Sequence, residues 1–539
     1  MRLIGSNLIS ESRFLVMLIF MASNITTLHA QTKTFSGTGN WSNAASWSPV
    51  GVPTSANTVL IAAGASVTVD GNYTCDSIYF VPGGTNTTIS ISGTNKLTAT
   101  RGVRFSDPTA NVTQLINVNA GTLECDVLTQ PNLTTGRVNR INVSTGTIKV
   151  NKDFSSAGST SENLIVYSDA GKFILGGTWT SATGTFTDAT ASFEYSSVNP
   201  NQSIRTRTYN KLIFSGDIKV PGGSIVCNDS LIINAGSTLN NSGAASLTLN
   251  SVFYIAGTYL EGSTSGNVTL IGLVHIANTG KFQATVGESF TIRGGIKNEG
   301  TFISGTGNYT FATNNQTLSG SLMFTFQGSL TVTGIVLTSE DSVRINGTFT
   351  GTGSFVNQSY LLLMGATNTI TTLDVSAVGN IVEYGFAGTQ TVKGASYSIL
   401  RITGSGTKTT NANINVSNEI SIGSGATLAM STFLFTLDPS CAITGTGNLS
   451  TANVTATPIP AGKVWPFTTI TFNSGSAQTI VHGTYTNLTS SSIARTLSNA
   501  GNIVINGLFT PGTGTYTSTG TTVIFNSVAT QTIPGITGG

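Results

Sequence analysis

The strongest constraint on the fold is a short local pattern that recurs through the middle of the chain. An alternating apolar strand is followed by an Asn-containing turn and then by Gly-x-Phe or Gly-x-Tyr. It occurs as VFYIAGTY (Gly257, Tyr259), VHIANTGKF (Gly280, Phe282), GIKNEGTF (Gly300, Phe302), VRINGTF (Gly347, Phe349) and IVINGLF (Gly507, Phe509). Across the first four the aromatic positions lie 23, 20 and 47 residues apart, the last gap being close to two periods. Leu249, Leu270 and Ile292, 21 and 22 apart, form a second series. Such a period is too short for a sandwich domain and matches one coil of a β-solenoid, each turn of chain stacking on the last. Alternation sends one set of side chains into a narrow core and the other to solvent. The pattern therefore predicts an all-β, right-handed parallel β-helix (β-solenoid) with an N-terminal cap. It places Tyr259, Phe282, Phe302 and Phe349 in an inward ladder, with Thr and Ser outward and Asn and Gly at positive-φ corners.

Composition agrees with one extended architecture. The 539 residues include 62 Gly, 26 Phe and 13 Tyr, and only 9% are charged. Disordered chains are poor in aromatic and β-branched residues, and ordinary globular surfaces carry far more charge. The surface is thus expected to be neutral and hydroxylated. A formal charge of +2 is too small to imply nucleic acid or an anionic membrane as partner.

Residues 1–30 read as a signal peptide. Arg2 and Arg13 precede the apolar run FLVMLIFMA, and LHA ends at Ala30 before Gln31. The run is too short to span a bilayer and suits cleavage on export. No later run is long enough for a transmembrane segment, so the mature chain is expected to be secreted or held at the outer cell surface. Cys75, Cys125, Cys227 and Cys441 are widely spaced and form no metal or disulfide signature. Cys75 and Cys227 each precede an Asp-Ser-aliphatic segment, CDSI and CNDSL, and read as equivalent small buried positions on two coils. Residues 31–190 are assigned to the cap and first coils, and 191–539 to a repeat-containing β-helix.

A second motif overlays the first: an aromatic residue, a short gap, then Gln-Thr/Ser-aliphatic. It contains Gln202, Gln316, Gln390, Gln478 and Gln531, and Tyr209, Tyr397 and Tyr485 follow three of these by seven residues. The Gln positions are 114, 74, 88 and 53 apart. Such gaps fit coils of variable length better than tandem domains. The last motif has barely begun when the sequence stops, so the natural chain is expected to continue.

Near the start, NWSNAASWSPVGVP sets Trp41 and Trp47 six residues apart, ahead of VLIAAGASVTVDG. Two large aromatics with Pro49 and Pro53 can cover the open end of a core while the prolines stop edge pairing. The alternative role for the pair is a sugar-stacking platform. This opening resembles the G8-type segments that begin bacterial secreted parallel β-helix proteins. The later FNS…QTI…G…Y…L units resemble repeats of adhesin-like proteins exported by the type IX pathway. One departure is Asn57, where such segments often carry Asp. The resemblance implies a cell-surface or secreted scaffold whose partners are glycans or other cell surfaces.

Parallel β-helices also include polysaccharide lyases and hydrolases, so a carbohydrate-active enzyme, or its binding part, is the competing reading. Such sites need clustered carboxylates, often with Ca²⁺, or two opposed acids. Here acids are sparse. Glu124 and Asp126, flanking Cys125, are the one close alternating pair and the only candidate for a cation such as Ca²⁺; no other cofactor is expected. His275 and His482 have no Ser or Asp partner at an interpretable spacing. Gly-x-Gly steps complete no nucleotide fingerprint. Asp-Ser-aliphatic steps at Ser77, Ser230 and Ser342 resemble the O-glycosylation sequon of bacteria with type IX secretion; the bland reading is an Asp turn entering a strand.

Overall fold

In the strand Leu247–Leu249 both leucines are buried and Thr248 between them faces outward. The coils before and after repeat this arrangement in parallel register. Tyr209 pairs with Cys227, Cys227 with Leu249, Leu249 with Leu270, Leu270 with Ile292, Ile292 with Phe311, and Phe311 with Val332. All seven side chains are buried. The spacing of Leu249, Leu270 and Ile292 thus marks successive rungs of one interior column. The structure is a computed structural model that describes residues 31–159, 161–182, 184–243, 245–518 and 520–538. The proposed signal peptide lies outside the described residues.

The described chain is nearly all strand; its one helical element is the 3₁₀ turn Ala44–Ser46. Parallel strands stack as a β-solenoid of about 23 turns. The chain divides into two compact units, the first ending at Ser192 and the second starting at Phe193. In the first, one wall is a seven-stranded sheet running from Thr38–Asn40 to Thr185–Thr187. In the second, walls include sheets of six, eight, nine and four strands.

The aromatic ladder is present, with one member misplaced by the sequence reading. Tyr259 pairs with Phe282 and Phe282 with Phe302, with ring centroids 5.1 and 5.5 Å apart. Tyr259 and Phe282 are buried, while Phe302 is half-buried. Phe349 is buried but stands in another column, paired with Leu330. Its Gly-x-Phe unit follows a gap of two coils, and its strand continues the column that runs through Phe290, Tyr309 and Leu330.

The glycines of these units also act differently from expectation. Positive-φ glycines do occupy other corners, such as Gly236 at +81°. Gly280 and Gly300 do not have positive φ; they are needed because the coil beneath is too close. A β-carbon at Gly280 would lie 1.9 Å from the Ile255 carbonyl oxygen, and one at Gly300 would lie 2.2 Å from that of Ala277.

The N-terminal end is closed by the tryptophans. Gln31–Phe35 pairs on one edge with Asn57–Ile61 in parallel and on the other with the two-residue strand Trp47–Ser48 in antiparallel register, Phe35 opposite Trp47. Pro49 follows at once and has no N–H to extend the pairing. Trp41 and Trp47 are 0% and 2% exposed, meet edge to face at 4.9 Å, and are joined by a 2.9 Å bond from Trp47 Nε1 to the Trp41 carbonyl. Phe35 packs on Trp47 at 5.0 Å and Tyr73 stacks on Trp41 at 5.9 Å. Asn57 serves this cap too: its Oδ1 accepts from Thr54 N at 2.8 Å, and its Nδ2 donates to the Gln31 carbonyl at 3.1 Å.

Candidate binding surface

Outward positions on three stacked strands of the first unit form a groove of about 450 Å³. The strands are Asn57–Ile61, Tyr73–Phe80 and Lys96–Arg104. Thr58, Ser77 and Gly102 share one row, and Leu60, Tyr79 and Arg104 the next. Gly102 keeps the floor low; a β-carbon there would sit 2.7 Å from the Val127 carbonyl oxygen. Register shifts fall between Cys75 and Ser77 and, two coils on, between Cys125 and Val127. These irregularities turn Asp76 and Asp126 out at the corner. Asp76 bonds Arg101 at 3.0 Å, while Arg104 has no acidic partner among the described residues. The groove thus offers one paired and one unpaired guanidinium, the Tyr79 ring and the Ser77 hydroxyl. Sequence reasoning missed Arg104 and Tyr79 here, since they adjoin Ser77 only through stacking.

The three Asp-Ser steps are alike in polarity. The aliphatic residue after each, Ile78, Leu231 and Val343, is fully buried, and the serine lies on the outward side. Ser77 and Ser230 each donate to the preceding carboxylate at 3.0 Å. Asp341 instead accepts from the Ser342 backbone N–H at 2.7 Å. Ser77 is 6% exposed and the other two are half-buried.

Glu124 and Asp126 both point outward and are engaged by lysines of neighbouring coils. Glu124 bonds Lys149 at 2.8 Å and also Lys96, and Asp126 bonds Lys152 at 2.7 Å. Partial desolvation works against ionisation of Glu124, but the hydrogen bonds from Lys149, Lys96 and Asn151 outweigh it and hold its carboxyl at about 2. Stacked parallel strands sit about 4.8 Å apart, so a charge on one coil meets its counter-ion on the next. Among the described residues no group of three or more His, Cys, Asp or Glu could hold a metal ion. His275 bonds Glu299 at 2.8 Å, and Lys297 bonds the same carboxylate at 2.7 Å. His482, half-buried, leaves its Nδ1 without a partner among the described residues.

All four cysteines are free and buried. Cys75 and Cys125 flank Ala99 in one interior column. Burial pushes the Cys75 thiol up to about 12, which leaves it unreactive at neutral pH.

The Gln motifs are structural clamps. Gln478 donates from Nε2 to the carbonyls of Thr451 and Asn453 at 2.9 and 2.8 Å and accepts from Ser474 N at 3.2 Å. Gln390 donates to Leu363 and Gly365 in the same manner. The tyrosine seven residues later closes the corner: Tyr209 and Tyr485 donate to the carbonyls of Arg205 and Val481 at 2.8 and 2.7 Å, and Tyr397 to that of Lys393.

A feature invisible to local motif reading completes these clamps. Gln202, Gln390 and Gln478 are stacked on Lys219, Lys408 and Arg495 of the following coil. All three cations are buried. Lys408 donates to the carbonyls of Phe386, Gly388 and Ser405 at 2.6–2.9 Å. Lys219 donates to those of Ser197 and Asp217 at 2.9 and 3.0 Å, and its desolvation lowers the amine to about 8 against the pull of Asp217 and Glu194. The available signal was parity: each basic residue occupies an inward position of an alternating strand.

Comparison of the chain with family models, with curated proteins and with solved structures returned no match. Among the described residues no helix is long and apolar enough to cross a membrane.

Proposed function

We propose that the chain is an exported, non-enzymatic scaffold of adhesin type, secreted or displayed at the outer cell surface, whose partners are glycans or other cell surfaces. The observation that carries this reading is the fate of the acids. Asp76, Glu124, Asp126 and Glu299 are each tied to a basic residue. A two-carboxylate mechanism needs opposed free acids about a substrate bond; these four are held by basic residues, and the coupled carboxylates Glu261 and Glu288 are both buried. The G8-like opening, the type IX-like repeats and the signal peptide support export. The Asp-Ser step at Ser230, half-buried, outward and bonded to its own aspartate, suits surface modification as well as turn formation.

The groove around Tyr79 and Arg104 favours a carbohydrate-binding role within this reading. The test is to incubate the purified mature chain with acidic and neutral polysaccharides, with and without Ca²⁺, and to follow retention and new chain ends together. Retention without cleavage is expected, weakened by Arg104→Gln. Cleavage abolished by Glu124→Ala with Asp126→Ala would replace the scaffold reading with the enzymatic one.

A further inference from the structure

One outward surface of the second unit has a regularity that the scaffold role does not require. Seven successive coils present the pattern polar-x-Thr: Ser246 and Thr248, Asn267 and Thr269, Ser289 and Thr291, Asn308 and Thr310, Ser329 and Thr331, Thr348 and Thr350, Thr367 and Thr369. The register runs Thr248, Thr269, Thr291, Thr310, Thr331, Thr350 without a shift. The seventh coil joins through the bridge of Phe349 to Asn368, and Thr369 donates to Thr350 at 2.9 Å. The residue between each pair, from Leu247 to Asn368, is buried, so nothing rises between the two columns.

Outward threonine is common on any strand because it suits a pleated surface. What is uncommon is a column without interruption. The outward column beside it in the same coils reads Tyr254, His275, Lys297, Ser319 and carries charge and bulk. The polar-x-Thr surface instead holds hydroxyls, carboxamides and methyls alone. Its members are also tied to one another: Ser329 to Thr348 at 2.6 Å, Thr331 to Asn308 at 3.1 Å, and Asn308 to Thr310 at 3.1 Å. Such bonds, with the stiff χ1 of threonine, hold the groups in a fixed lattice.

That lattice has a repeat of about 4.8 Å between coils and about 6.7 Å between outward residues of one strand. Both spacings lie close to those of oxygen atoms on a prism face of hexagonal ice. We propose that this surface binds ice: the hydroxyls and carboxamides anchor ordered water, and the methyls exclude the disordered water between. Each anchor is weak, but the rigid array engages them together, so their effects compound as in multivalent attachment. Aromatic platforms, on which a crystalline polysaccharide would stack, are absent from the two columns. The proposal stands apart from the adhesin reading and does not depend on the groove.

Ice partition and thermal hysteresis of the full mature chain test it. The wild type is expected to enter slowly growing ice and to open a gap between melting and freezing points. Thr291→Tyr with Thr310→Tyr, at the middle of the array, should abolish both while circular dichroism and the unfolding midpoint stay as in the wild type. Ser319→Tyr, in the neighbouring column, should leave both intact. Exclusion of the wild type from ice, or unchanged ice partition in the folded double variant, would overturn the proposal. Retention on crystalline cellulose or chitin in place of ice would do the same.

Discussion

Glu288 is 1% exposed, and among the described residues no side chain hydrogen-bonds its carboxylate. Desolvation and the charge of Glu261 raise it to about 7. Glu261 is equally buried but satisfied, accepting from Tyr259 at 2.6 Å and from Asn241 at 2.7 Å. Because the fold holds the Glu288 proton and the unfolded chain releases it near the ordinary carboxylate value, this residue lowers stability as pH rises from that value to about 7. Glu124 acts in the opposite sense. Its stabilisation is present above the ordinary value and is lost as pH falls through about 2. Denaturant midpoints measured across pH should fall between about pH 4.5 and 7, and Glu288→Gln should remove that fall. Lys149→Met should remove part of the loss on the acid side. Neither environment was legible beforehand. Glu124 and Asp126 stood out as a pair, but their lysines lie one coil away, and Glu288 carries no motif at all.

At the scale of elements, the rungs and the clamps differ in what they need. Phe282 is buried between Tyr259 and Phe302, whereas Phe302 is half-buried at the next rung. Phe282→Ala should therefore cost about 3–5 kcal/mol, the range for a fully buried ring, and Phe302→Ala clearly less. Equal losses in equilibrium unfolding would contradict the register. The clamps depend on polar satisfaction. Gln478→Leu would orphan the Thr451 and Asn453 carbonyls and the Ser474 N–H, at roughly 1–3 kcal/mol for each buried group left unpaired. Tyr485→Phe would orphan only the Val481 carbonyl and should cost less than Gln478→Leu. The aromatic–Gln–Tyr pattern was plain in the sequence. Its purpose was not, because the carbonyls it binds belong to the preceding coil and the cation stacked on it lies 17 or 18 residues later. The Gly-x-Phe glycines were likewise recognised as special for the wrong reason, since close approach between coils has no local signature.

At the scale of the whole molecule, the coil period and the strand alternation were legible, and the tryptophan cap followed from the need to close an exposed edge. What a solenoid conceals is the lateral neighbourhood of each residue: groove, charge ladders and polar-x-Thr array are all made between coils. All three therefore depend on successive coils stacking in parallel register. Spin labels placed pairwise at Thr248 with Thr310, Thr331 or Thr350 measure this most directly. The register places these partners three, four and five coils away. The account predicts Cα separations of about 14, 19 and 24 Å, rising by about 4.8 Å per coil. Distances that fail to rise in this way, or that spread broadly for all three pairs, would contradict it.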